Sequence, residues 1–85
     1  MARVIFTPHL RFAAEPRVVA GRTLGEVLAA ALAPHERGYV LDDQGAVRKH
    51  VAVFIDGEQC RDRRSLSDPV GEDGEVHVLQ ALSGG

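Results

Sequence analysis

One stretch of this chain, TLGEVLAAALAP at residues 23–34, limits its folding options more than any other. Leu24, Val27, Leu28, Ala31 and Leu32 fall at i, i+3, i+4, i+7 and i+8, which places five apolar side chains on one helical face. Thr23 and Glu26 stand at capping-box spacing, so the hydroxyl is expected to take an N3 amide while the carboxylate reaches back to the cap amide. Pro34 is expected to end the helix. No second long helix is predicted. A lone amphipathic helix must bury its stripe against a sheet, which predicts a two-layer α+β domain.

The rest of the chain supplies that sheet. RVIFT (3–7) is β-rich and stops at Pro8, and PRVVA (16–20) is a second short strand closed by Gly21, the pair being joined by a hairpin or slightly wider loop. After the helix, YVL (39–41) and the residues from Val47 onward flank DDQG, whose acidic pair and Gly45 are strong turn formers. VAVFI (51–55) is a near-continuous apolar run of the kind expected of a central strand covered on both faces. Asp56 and Gly57 form a turn into a short strand at 58–60. RDRRSLSDPVGEDG is polar and turn-rich, and EVHVLQAL, from Glu75, is the last strand. The predicted order is β-β-α-β-β-β, with an extra hairpin near Tyr39.

Length and composition narrow the function classes. Eighty-five residues suit one domain. With 45% hydrophobic and 26% charged residues, neither a disordered chain nor a membrane protein is suggested. A net charge of −2 argues against a general nucleic-acid binder. Cys60 is the only cysteine, so no internal disulfide framework can form, as a reducing compartment permits. The opening MARVIFTPHL has too short an apolar run for a signal peptide, and no stretch approaches membrane-spanning length. A cytoplasmic protein without a membrane partner is expected.

VAVFIDGE (51–58), the approach PVGEDGEVHVL, and DGEVHVLQALSGG (73–85) with its closing Gly-Gly carry a resemblance. In these stretches the chain resembles the MoaD/ThiS-type ubiquitin-like sulfur carriers: the small subunit of molybdopterin synthase, the sulfur carrier of thiamine thiazole synthesis, and the thiocarboxylate donor of an alternative cysteine pathway. The resemblance implies a β-grasp fold, a mixed sheet of about five strands packed on one main helix, with a domain over 1–82 and a flexible tail over 83–85. It also implies that a separate ubiquitin-activating-type enzyme adenylates the terminal carboxylate with ATP. The carboxylate then becomes a thiocarboxylate that donates sulfur to an accepting biosynthetic enzyme. Carried over, the working group is the carboxylate of Gly85, with Gly84 and Ser83 as its tail. The family's last strand is often richer in Phe and Pro before the tail, where this chain has Leu79, Gln80 and Ala81. The partner's identity therefore stays open.

The chemistry accounts for such an end. An α-carboxylate, with a pKa near ~3.5, is an anion at neutral pH and a poor electrophile. No phosphate-binding loop motif is present, so activation belongs to another protein: no cofactor is expected on this chain, and ATP is used by the partner. From Leu82 onward the arm could extend on the order of 13 Å, and the glycines keep it slender. Ordering each tail residue costs about 1–2 kcal/mol, so affinity must come from the folded body. Alternation in the last strand puts Val76 and Val78 on one face and His77 and Leu79 on the other. If the valines face the helix, Leu79 lies outside, where Phe54 and Leu82 could join it in a partner-binding patch. The apolar run leaves Phe54 open to either the core or the patch.

Other signals are weaker. His9, His35, His50 and His77 are dispersed without ligand spacing, so no metal site is expected. Cys60 lacks a Cys-His motif and is read as a small strand residue. Arg61, Arg63 and Arg64, interrupted by Asp62, are read as a solvated loop or a contact to an acidic partner, and Arg48, Lys49 and His50 likewise. Asp42 and Asp43 belong to a turn rather than to an acid–base pair. Two alternatives to the carrier remain: a ubiquitin-like modifier joined through Gly85 to lysines, and a β-grasp interaction module with an inert tail.

Overall fold

The apolar stripe forms the predicted helix. In the computed structural model, which describes residues 1–6 and 15–80, α1 spans Leu24–Ala31 and buries Leu24, Val27, Leu28 and Ala31. The Thr23 hydroxyl accepts from the Glu26 amide at 3.2 Å, as expected of the cap. The Glu26 carboxylate reaches one residue further back than expected and accepts from the Arg22 amide at 2.9 Å. A second helix follows at once. Pro34 occupies the first turn of α2 (Pro34–Val40), where its missing N–H costs nothing, so the residue expected to stop one helix starts the next. Tyr39 and Val40, predicted to lie in a strand, close this helix instead, and only an isolated bridge between Leu41 and Val47 remains of the predicted hairpin.

Five strands complete the domain: β1 (Ala2–Phe6), β2 (Arg17–Val19), β3 (Val51–Ile55), β4 (Glu58–Gln59) and β5 (Glu75–Gln80). Their order in the sheet is β2-β1-β5-β3-β4, with β1 and β5 parallel and the other pairs antiparallel. The central position belongs to the last strand, not to β3 as its apolar run suggested. Asp56 and Gly57 both take positive φ, 51° and 87°, the geometry of a tight hairpin turn whose twist matches its strands. Val4, Phe6, Val51, Val53, Val76 and Val78 line the inner face against α1, each almost wholly excluded from water. This mixed five-stranded sheet packed on α1 is the β-grasp arrangement, with α2 as a second, shorter helix.

Two features outside the regular elements close the core. The polar loop after β4 lowers Leu66 and Val70 into it and docks on the start of α1, where the Leu24 and Gly25 amides donate to Asp68 O and Leu66 O. Asp62 organises that loop by accepting from Ser67 Oγ and from the amides of Arg64, Ser65 and Ser67; these bonds, the Ser67 hydroxyl's above all, hold its carboxyl at about 2. Across the molecule, Arg17 of β2 donates two parallel bonds to Glu36 of α2, at 2.5 and 2.9 Å, and a third to Ala31 O at 2.8 Å. Its guanidinium also lies 5.0 Å from the Phe6 ring centroid. Glu36 in turn accepts from the Ala33 amide, capping α2. The Arg17 bonds, helped by that amide and opposed by burial, hold the Glu36 carboxyl at about 2.

Candidate functional site

The site is built on the sheet face turned away from α1. Strand alternation places Val76 and Val78 in the core and leaves His77 and Leu79 half-buried on the outer face. Phe54 is directly opposite His77 in the β3–β5 register, and Leu79 is opposite Ala52, so Phe54 and Leu79 are diagonal neighbours on one face. Phe54 is half-buried there, outside the inner core. Ile5 of β1 is opposite His77 on its other side, so a row runs Ile5, His77, Phe54 with Leu79 beside it, apolar except for the imidazole at its centre. Sequence reading placed His77 with Leu79 on this face but missed Ile5, whose membership follows from the parallel pairing of β1 with β5.

Charge borders the row at one end. Glu75 Oε1 lies 3.3 Å from His77 Nε2, and Glu75 Oε2 lies 3.8 Å from Arg3 Nη1, all three side chains being substantially exposed. At the other end Gln80, the last described residue of the chain, is paired with Val51 at the start of β3. Leu82, Ser83, Gly84 and Gly85, expected to form the tail and part of the patch, lie outside the described residues, as does the predicted boundary between 82 and 83.

The other candidates take structural places. Cys60 is buried in the core, and desolvation, before any neighbouring charge, pushes its thiol up, away from the reactive thiolate. Asp42 Oδ1 accepts from the Gln44 and Ala46 amides, as a turn former does. Among the described residues no group of three His, Cys, Asp or Glu side chains could hold a metal ion, and no helix is long and apolar enough to cross a membrane.

Comparison with known proteins bears on this arrangement. The model of the ThiS family matches residues 10–85, nearly the whole chain. The protein belongs to the ThiS family. Two crystal structures share the fold of this member. That of SAMP1 from Haloferax volcanii is 19% identical, with 99% of this chain and 98% of that one covered at a TM-score of 0.68. That of the H. volcanii small archaeal modifier protein 1 is 18% identical, with 95% and 97% covered at a TM-score of 0.73. No curated protein matches the sequence. The ThiS family member is thus a small protein of the ubiquitin-like β-grasp fold, with an outer sheet face presenting Ile5, Phe54, His77 and Leu79.

Proposed function

We propose that this protein is a sulfur carrier, a cosubstrate whose Gly85 carboxylate is charged by one cytoplasmic enzyme and discharged by another. The observation that carries the reading is that the family match continues beyond the folded strands through Gly84 and Gly85. The carboxylate attacks the α-phosphate of ATP on the partner enzyme, pyrophosphate leaves, and a mixed acyl-phosphate anhydride results. Hydrosulfide, or a sulfane sulfur supplied by the partner with its reductant, then attacks the carbonyl carbon and AMP leaves. A thiocarboxylate remains, able to give its sulfur to an accepting biosynthetic enzyme. Docking rests on Leu79, Phe54 and Leu82, because the slender arm loses too much freedom on ordering to bind strongly by itself.

Intact-mass spectrometry of the protein from its native host tests this. The expected result is a species in which one carboxyl oxygen has been replaced by sulfur, formed only with ATP, a sulfur source and the activating partner. A variant extended by one alanine after Gly85 should stay uncharged; full charging of that variant without trimming would overturn the reading. The second reading, a modifier joined to lysines, draws support from the fold shared with the small archaeal modifier protein 1. In that case a lysine amine attacks the same activated carbonyl, and isopeptide-linked tail remnants would appear on other proteins.

A further inference from the structure

The end of the sheet where β5 closes at Gln80 is bordered by a turn of unusual charge. Arg48, Lys49 and His50 immediately precede Val51, the partner of Gln80. This turn is braced rather than loose. Arg63 Nη2 donates to Arg48 O at 2.6 Å and to Val51 O at 2.7 Å, and the Val47 amide donates to Arg63 O at 2.8 Å. Arg48 Nε donates to Gly38 O at 2.6 Å. Both guanidinium groups thus spend these bonds on carbonyl oxygens, and no ion pair among the described residues engages Arg48, Lys49, Arg63 or Arg64. Asp42 and Asp43 share a shallow hollow with Arg48 and offset part of its charge, whereas Lys49 stands exposed. The other end of the sheet carries more acid, with Asp56 in the β3–β4 turn, Glu58 and Glu75 on the strands and Glu72 and Asp73 in the turn before β5, set against Arg3, Arg22 and Arg61.

We propose that Lys49, backed by Arg48 and Arg63, forms a basic collar at the root of the tail that docks on an acidic rim around the tail-receiving channel of the activating enzyme. The inference rests on the carrier reading and specifies what kind of partner surface that reading requires. A channel that accepts an anionic tail and ATP phosphates must be cationic inside. A carrier with cations around its tail root is then repelled by the mouth unless the mouth is acidic. The two alternating patterns, anionic tip with cationic collar and cationic channel with acidic rim, match in one orientation. The acidic far end of the sheet disfavours the reversed approach. Fixing the backbone of the turn through Arg63 lowers the ordering cost of docking to that of the exposed Lys49 side chain.

The test is the rate of charging by the enzyme that forms the thiocarboxylate, read as kcat/KM for the carrier at low salt and in about 1 M salt, where the screening length falls to about 3 Å. Lys49→Glu should lower kcat/KM by roughly tenfold at low salt with kcat unchanged, the deficit shrinking at high salt, and Lys49→Arg should restore the parent value. Arg22→Glu makes the same change in net charge beside Glu72 at the far end, and should leave kcat/KM near the parent value. If the parent is charged but Lys49→Glu behaves like Arg22→Glu, the collar is wrong and the carrier stands. A parent that no adenylating enzyme charges overturns both.

Discussion

Val4, Val76 and Ile55 stand in register across three strands on the inner face of the sheet; one residue along, Ile5, His77 and Phe54 stand in register on the outer face. The first row is sealed under α1, with Val4 and Val76 wholly buried and Ile55 packed against the core. The second remains half-open to water. Apart from His77 both rows are apolar, so the hydrophobicity of their flanking residues alone does not assign a role to either. What separates them is which face the helix covers. Apolar area on the inner face is removed from water on folding and stabilises the domain, while on the outer face part of that gain is kept for a partner.

The contrast is broken most directly by substitutions that act on one face only. Leu28→Ala, at a wholly buried position of α1 against the inner face, should cost about 2–5 kcal/mol, read from the urea midpoint at unchanged slope. Leu79→Arg, next along the chain from buried Val78, should shift that midpoint by no more than about 0.5 kcal/mol, since a long side chain on an open face finds water. The same variant should weaken binding to the activating enzyme by roughly tenfold or more, measured by titration calorimetry. Comparable stability losses for both variants would erase the distinction between the faces.

Ion pairs sharpen the comparison. The Arg17–Glu36 pair is bidentate, with side chains only 24% and 10% exposed, and ties β2 to the junction of the two helices. The Glu36 carboxyl is held at about 2 against an ordinary 4.5, chiefly by the Arg17 bonds. A depressed folded value means the unfolded chain takes up the proton first. The stabilisation is therefore complete above about pH 4.5 and disappears as pH falls toward 2, amounting to about 1–3 kcal/mol. Asp62, also held at about 2, titrates in the same window, so the comparison needs a variant. Urea midpoints from pH 7 to pH 3 should fall more steeply for the parent than for Glu36→Gln, with the two curves converging in acid. Parallel curves would show that Glu36 contributes nothing through its charge.

Several of these features were legible in the sequence, and the misses have definite causes. Local rules found α1, its Thr23 cap, the Asp56-Gly57 turn and the alternation that sends Leu79 outward, because each depends on neighbours within a few residues. The second helix was hidden because Pro34 reads as a stop until its position at the first turn is known, and because Gly38 and Tyr39 are poor advertisements for a helix. The Arg17–Glu36 pair joins residues 19 apart, and no spacing rule connects a strand cation to a carboxylate in a later helix. The central place went to β5 rather than to the more apolar β3, because sheet order follows from crossover topology and not from which strand is most hydrophobic. The outer row was half seen for the same reason: strand parity gave Leu79 its face, but Ile5 joins that face only once β1 is known to run parallel beside β5.

The smallest expected effect belongs to the outer face's own ion pair. Arg3 and Glu75 approach to 3.8 Å through a single pair of atoms, with side chains 54% and 42% exposed, and Glu75 also faces His77 at 3.3 Å. Water competes for both charges, salt screens them, and a single contact does not repay the freedom lost in holding two long side chains together. Arg3→Ala should therefore move the urea midpoint by no more than about 0.5 kcal/mol, with no change of that difference between low and high salt beyond a few tenths. A loss of more than about 1.5 kcal/mol would mean that this pair behaves like Arg17–Glu36. It would follow that the outer face is organised for stability as the inner one is, and the argument that leaves Ile5, Phe54, His77 and Leu79 free for a partner would lose its basis.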